Sequence, residues 1–498
     1  MNLLSRIMSA SIICCASLLV ACSDSSSSSN ESDSQSKNSS LQVGSYVWGS
    51  TIYSMGKDGA ARLAEAYDKV GLQHVILLVK GESGTIGYFK NTLSHAPKTR
   101  TDRDVLAETI EAMHAKGIKV YAWLSVAMDG SYLEEHPEQA SFHFRRGYSD
   151  EVVDLSQPDY RDYMANVIKE IEQNYDVDGF ALDRVRYQGA YFGWSDSEFK
   201  KLTASKSKGG YGLTLDEYNE LVKIMAQEFG YPTKKDKDGR LVYDSDAETS
   251  PDIVDFALDT AYNKGTKGVV AFGKMREKVV DDISDFLVKQ TSKPVYIASM
   301  PECSSYPIYA TLSYGMTFNK AYTYDVVCPM LYSVDYEEDS SWVAQNINYL
   351  KDLGYPKILP SLQAYKESST EALAADVNAV VDKGLLGYLL FRTGTYDIAR
   401  AVRKDKGTVE LTYVRGTEDD DCGKVKVSVN GASPKKVTMG GKLADTKSTV
   451  KGGQITFNAD ALEELGDYGT VSFSVDEEKN VSVNVTADEC IVYNAPME

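Results

Sequence analysis

The sequence predicts an α/β fold, a closed (β/α)8 TIM barrel over residues 43–405 with a β-sandwich over residues 406–498, and three observations lead there. Eight apolar runs rich in β-branched and aromatic residues recur with helical patterns between them, the alternation expected of repeated βα units. The later runs start at Pro294, Asp325, Lys357 and Gly387, about thirty residues apart, close to the length that a parallel strand–helix–strand crossover requires. Near Lys406 helical periodicity gives way to short alternating strands with Gly or Asn turns, such as TVELTYVRG, KVKVSVNG and TVSFSV.

From the N-terminus, Arg6 is followed by an apolar stretch, Ile7 to Ala21, that is too short to cross a bilayer as a helix and suits a secretory leader over residues 1–21. It closes on Leu19-Val20-Ala21-Cys22, which resembles the lipobox of bacterial lipoproteins. That resemblance implies lipidation of Cys22 and a location at the outer membrane or cell surface. Residues 22–42 are Ser-rich and acidic with no apolar period, so a tether is expected. Of seven cysteines, Cys303, Cys328, Cys422 and Cys490 remain once the leader and the lipidated residue are set aside. In an oxidising compartment we expect disulfides Cys303–Cys328 and Cys422–Cys490, each within one domain.

The first four runs begin at Val43, His74, Lys119 and Val177, and each is apolar without strict alternation, as in strands covered on both faces. Between them DVLAETIEAMHAKG has helical spacing and a terminal Gly suited to a left-handed cap. The starts Val177 and Pro294 are 117 residues apart, so the fourth loop carries an insertion over roughly Gln188–Gly268. It holds a helical segment, TLDEYNELVKIMAQEFG, between the breaks KSKGGYG and TKKDKDGR. Both a partly mobile lid or cleft wall and a plain surface insertion fit this composition.

A formal charge of −19 repels phosphate backbones and argues against nucleic acid as a partner. Neither a CxxC nor an HxxxH pair occurs, so no metal or other cofactor is expected. Barrel sites gather where strands end, which selects Trp48, Tyr53, Glu82, Asp129, Asp183, Arg184, Arg186, Tyr187, Glu302, Tyr332, Asp335, Gln363, Tyr365 and Arg392. Carboxylates converging with aromatic rings and arginines suit glycoside hydrolysis, in which one acid protonates the leaving oxygen and a second attacks or activates water.

Asp183 is the expected nucleophile or charge stabiliser, unless it is simply the ion-pair partner of Arg184 or Arg186. Glu302, beside the apolar Met300-Pro301, is the expected general acid, with Glu82 and Asp335 as competitors. Trp48, Glu82, Asp129, Arg186, Tyr187, Tyr332, Asp335, Gln363 and Arg392 are expected to hold substrate.

The stretch DLSQPDYRDYMANVIKEIEQNYDVDGFALDRVRY (Asp154–Tyr187), together with AWLSV, PMLYSVD and GYLLFRTG, resembles the glycosyl-hydrolase-like family ten. The resemblance spans about residues 43–400. It implies a barrel lipoprotein that cleaves glycans, peptidoglycan strands among them, with Asp183 as the strand-four acid. Where the family commonly has two adjacent acids, this chain has Asp183-Arg184. VDGFALD is also similar to the strand-four motif of alpha-amylases, although Ala181 stands where that motif has Arg.

The expected activity is therefore an envelope-anchored glycoside hydrolase acting on a polysaccharide or peptidoglycan glycan strand, the alternative being a surface glycan-binding lipoprotein without turnover. The expected partners are the glycan and, through the lipid, the membrane. If residues 43–405 close a core of their own, limited proteolysis cuts first near Lys404. First cleavage within Gly189–Gly268 would contradict that boundary.

Overall fold

The computed structural model describes residues 42–392 except 100–101, 318–323, 356, 365–369 and 386, and beyond them the backbone of the strands between Asp397 and Asn494. Eight strands form a closed barrel: β1 (Gln42–Trp48), β2 (His74–Lys80), β3 (Lys119–Ser125), β4 (Gly179–Asp183), β5 (Val295–Ser299), β6 (Val326–Leu331), β7 (Ser361–Gln363) and β8 (Gly387–Phe391). Each pairs in parallel with its sequence neighbours, and β1 meets β8 in the register Gln42↔Gly387 to Ser45↔Leu390. The barrel expected from the apolar runs is the one observed. Strand β7 is shorter than its run because Pro360 has no N–H to give to a ladder.

Small residues let the ring close. A Cβ at Gly387 would overlap the Gln42 carbonyl, so only glycine admits the neighbouring backbone there. Inside the barrel, Tyr46, Ile76, Tyr121, Trp123, Tyr296 and Leu389 belong to one buried cluster, and Tyr121 stacks on Tyr296 with centroids 4.4 Å apart. Their hydroxyls meet at 3.0 Å, so the two phenols satisfy one another in an otherwise apolar interior.

Asp129 departs from the role expected of it. It is 0% exposed and pairs at 2.9 Å with Lys80, itself 0% exposed at the end of β2. Its other contacts are the backbone N–H of Tyr132, which it caps, and the Tyr160 hydroxyl. Every acceptor position thus faces protein, and Asp129 holds the loops after β2 and β3 together instead of touching substrate.

The long fourth loop is well packed. Two capping boxes, Ser195 with Glu198 and Thr214 with Glu217, start the helices Asp196–Thr203 and Leu215–Phe229. Their apolar faces join Trp194 and Phe272 in a cluster that ties the insertion to the helix Lys267–Val288. From that helix the fully buried Arg276 donates to the carbonyls of Gly189, Phe192 and Ser313.

Beyond the barrel the strands form one six-stranded and one four-stranded sheet. The strand Asp397–Asp405 pairs with Thr408–Val414 and Cys490–Asn494, so it lies in the six-stranded sheet. Cys303 and Cys328 are free and buried, which corrects the expected disulfide between them. Cys328 faces the barrel interior, whereas Cys303 lies in the short helix after β5 with its thiol near the Met316 carbonyl. The side chains of Cys422 and Cys490 lie outside the described residues.

Removing one partner of a fully buried ion pair leaves an uncompensated charge. Asp129→Ala should therefore lower unfolding stability by about 3–5 kcal/mol in denaturant titrations. A loss below about 1 kcal/mol, the range of an exposed pair, would contradict the buried pairing.

Candidate active cleft

The barrel ends open into a cleft of about 530 Å³, within the range of small-molecule sites. Its walls are aromatic: Trp48 and Tyr46 come from β1, Tyr53 from the short helix Gly49–Ser54 after it, Trp123 from β3, Phe391 from β8, and Tyr332 from the loop after β6. Tyr46 meets Trp123 edge-on at 5.1 Å and Phe391 at 5.5 Å, and Phe391 stacks with Tyr332 at 5.3 Å. Such flat, apolar faces with polar edges suit the C–H faces of a sugar ring. The buried Trp123 Nε1 has no hydrogen-bond partner among the described residues, an unmet donor in the cleft wall.

Asp183 ends β4 in this cleft, half-buried. Neither Arg184 nor Arg186 forms an ion pair with it among the described residues; its Oδ1 accepts the backbone N–H of Arg184 at 2.6 Å. Arg184, at a left-handed φ of 55°, turns its guanidinium to Glu82 and Gln188. This non-glycine residue in the left-handed region sits directly after the strand-end acid, a placement common where function constrains the backbone. Glu82 also lines the cleft, so Asp183 and Glu82 are its two carboxylates among the described residues.

The loop that carries Glu82 is fastened from behind. Glu170, fully buried on the helix Pro158–Asn174, accepts from the Tyr88 hydroxyl, the Ser94 hydroxyl and the backbone N–H groups of Leu93 and Ser94. The Tyr175 hydroxyl accepts from the N–H groups of Phe89 and Lys90 and donates to Asp104. Loop residues that reach the cleft, including Ser83, Thr85 and Arg103, are positioned by these bonds.

Other expected residues fall elsewhere. Glu302, 4% exposed, does not line the cleft; it lies behind it, accepting from the Tyr336 hydroxyl at 3.1 and 3.3 Å. Burial pushes its carboxyl above the ordinary range, against the opposing pull of hydrogen bonds and Arg186. Tyr187 faces away from the cleft and stacks on Arg276 at 3.8 Å. Asp335 and Gln363 hydrogen-bond each other at 2.9 and 3.0 Å and do not line the cleft. The Arg392 guanidinium lies 3.5 Å from the centre of the Trp48 ring, and Tyr365 lies outside the described residues.

Trp48, Tyr53, Glu82, Asp183, Arg184, Arg186 and Tyr332 do come together in the cleft. Sequence reasoning missed Tyr46, Trp123 and Arg103. The first two look like interior strand positions, and Arg103 sits in a loop with no periodic signal. The insertion contributes no wall to the cleft beyond the segment next to β4, which departs from the lid reading.

Residues 68–210 match the sequence model of the family Glycosyl hydrolase-like 10. The matched segment contains the Asp154–Tyr187 stretch that carried the resemblance. An S-layer-related protein of Niallia circulans is 25% identical over 222 residues, 38% of this chain and 13% of that protein, so the chain spans about an eighth of its length. Among solved structures, the glycoside hydrolase domain of PgaB (BpsB) from Bordetella bronchiseptica superposes with a TM-score of 0.50 at 15% identity, covering 70% of this chain and 94% of that one. The catalytic domain of a beta-amylase from Paenibacillus polymyxa gives 0.46 at 11% identity, covering 71% and 92%. Family pattern and barrel together define a fold of the glycoside hydrolase type.

The raised Glu302 carboxyl has a consequence for pH. Above the unfolded value of about 4.3 and below the raised folded one, the folded chain holds a proton that the unfolded chain has lost. Its stabilising contribution is therefore complete below the unfolded value and declines as pH rises through the folded one. Glu302→Gln should show a Tm that gains on the parent as pH rises from 4 to 8 in thermal melts. A constant Tm difference across that range would mean that Glu302 is ionised in its cage.

Proposed function

We propose that the protein is a glycoside hydrolase of the cell envelope, tethered through lipid at Cys22, that cleaves a polysaccharide or peptidoglycan glycan strand. The observation that carries this reading is Asp183 at the end of β4, free of ion pairing among the described residues, in a cleft walled by Trp48, Trp123, Tyr332 and Phe391. Asp183 acts on the anomeric carbon as nucleophile or as the charge opposite an oxocarbenium-like transition state. Glu82, rather than the enclosed Glu302, is the second carboxylate, and substrate entry must loosen it from Arg184 before it can take or give a proton. In this reading the tether over residues 22–42 stands the barrel off the membrane, and the two C-terminal sheets form a sandwich that serves as a packing or spacer module.

The ion pair that holds Glu82 also favours a second reading, a surface glycan-binding lipoprotein without turnover, because it engages the cleft's second carboxylate with a guanidinium. Incubation with a glycan panel separates the two: released oligosaccharides support hydrolysis, and binding without products supports the alternative. Within the first reading, Asp183→Asn should lower turnover on the order of 10³-fold or more while leaving glycan binding and Tm nearly unchanged. Normal turnover in that variant would remove Asp183 from the mechanism, and global unfolding would make it a structural residue.

Cys22→Ala should abolish incorporation of labelled palmitate and release the protein from the membrane fraction. Continued labelling would refute the anchor.

A further inference from the structure

The cleft contrasts in charge with the chain around it. The protein carries a formal net charge of −19, yet among the described residues the cleft is lined by three arginines, Arg103, Arg184 and Arg186, against the two acids Glu82 and Asp183. Two of the three cations are engaged. Arg103 forms a fork on Glu108, with Nε 3.1 Å from both oxygens, and Arg184 pairs with Glu82.

Arg186 differs from both. It is 7% exposed, and among the described residues the one hydrogen bond of its guanidinium runs from Nη1 to Gln188 Oε1 at 3.0 Å. The Nε is buried with no hydrogen-bond partner, and no carboxylate of the described residues forms an ion pair with the guanidinium. A buried guanidinium in this state is costly unless something satisfies it. The nearby acid, Glu302, does so poorly, because burial favours its neutral form. Tyr314 offers a ring face 5.6 Å away, which stabilises a cation without consuming its N–H donors.

We propose that Arg186 is a specificity determinant for an anionic sugar, a carboxylated or sulfated residue of the glycan, whose oxyanion it binds within the cleft. This deepens the hydrolase reading and rests on its assignment of the cleft as the glycan site. Among the described residues of the cleft, Arg186 and Asp183 are then the two charges without an ion pair, of opposite sign and with separate tasks: Arg186 receives the substrate's oxyanion, and Asp183 faces the anomeric carbon. The low dielectric around a nine-tenths buried arginine strengthens a charge-assisted hydrogen bond to such a group. Neutral glycans leave the guanidinium unmet, so discrimination follows from the cost of an unpaired buried donor.

The test is calorimetric binding to the full chain. The probes are tetragalacturonide with its carboxyl-reduced counterpart, and a chondroitin sulfate tetrasaccharide with its desulfated and carboxyl-reduced forms. At least one anionic probe should bind about tenfold or more tightly than its neutralised counterpart. Loss on carboxyl reduction identifies a carboxylate as the recognised group, and loss on desulfation identifies a sulfate ester. Arg186→Gln should erase the preference.

If that variant does not fold by circular dichroism, Arg186→Lys, which keeps a charge beside Glu302, should weaken the preference. The proposal is overturned if no anionic probe binds, if charged and neutralised forms bind alike, or if the preference survives in the folded variant. Product analysis runs in parallel. Anion-selective binding without products removes the hydrolase reading and leaves this one, whereas equal cleavage of charged and neutral forms does the reverse.

Discussion

Everything in the barrel depends on the backbone pairing of its first strand with its last. Strand β1 reaches β8 only because Gly387 leaves room for the Gln42 carbonyl, and that contact turns an open parallel sheet into a ring without edges. Closure in turn brings the C-terminal ends of strands that are remote in sequence around one opening. Trp48 at the end of β1 and Phe391 at the end of β8 share a cleft wall for this reason, although most of the barrel's sequence separates them.

Two kinds of buried polar group surround that opening, and they serve different ends. Lys80 with Asp129, and Glu170 with the loop bearing Tyr88 and Ser94, are closed networks in which the polar atoms meet protein partners. They hold the second and third loops in place. Glu82 and Arg103 are thereby offered to the cleft from a loop that has little regular structure of its own. Asp183, Arg186 and Trp123 line the cleft, and the Arg186 Nε and the Trp123 indole N–H are buried without a hydrogen-bond partner among the described residues. Unmet hydrogen-bonding capacity beside flat aromatic walls is what distinguishes this opening from a merely structural one.

The insertion after β4 illustrates how length misleads. Its position on the catalytic face left open a lid or cleft wall and a plain surface insertion, and its apolar residues Trp194, Tyr218 and Leu221 pack with the helix Lys267–Val288. An amphipathic helix buries its apolar face wherever the largest complementary surface lies, and that surface was here supplied by the barrel's outer layer.

The barrel itself was legible because strand period, apolar content and crossover length are local properties, each readable within about thirty residues. The position of Asp183 was legible for the same reason: barrel sites gather at the C-terminal ends of the strands, and Asp183 is the last residue of β4. Pairing between remote side chains was not legible. Asp129 and Glu302 close their runs in the same manner as Asp183, and nothing in their neighbourhoods reveals that Lys80 waits for one and Tyr336 for the other. Nor could sequence show that Glu82 meets Arg184, or that Arg186 is left without an ion pair among the described residues. Those outcomes depend on which loops the closed ring brings together, and burial and charge compensation are properties of that three-dimensional neighbourhood alone.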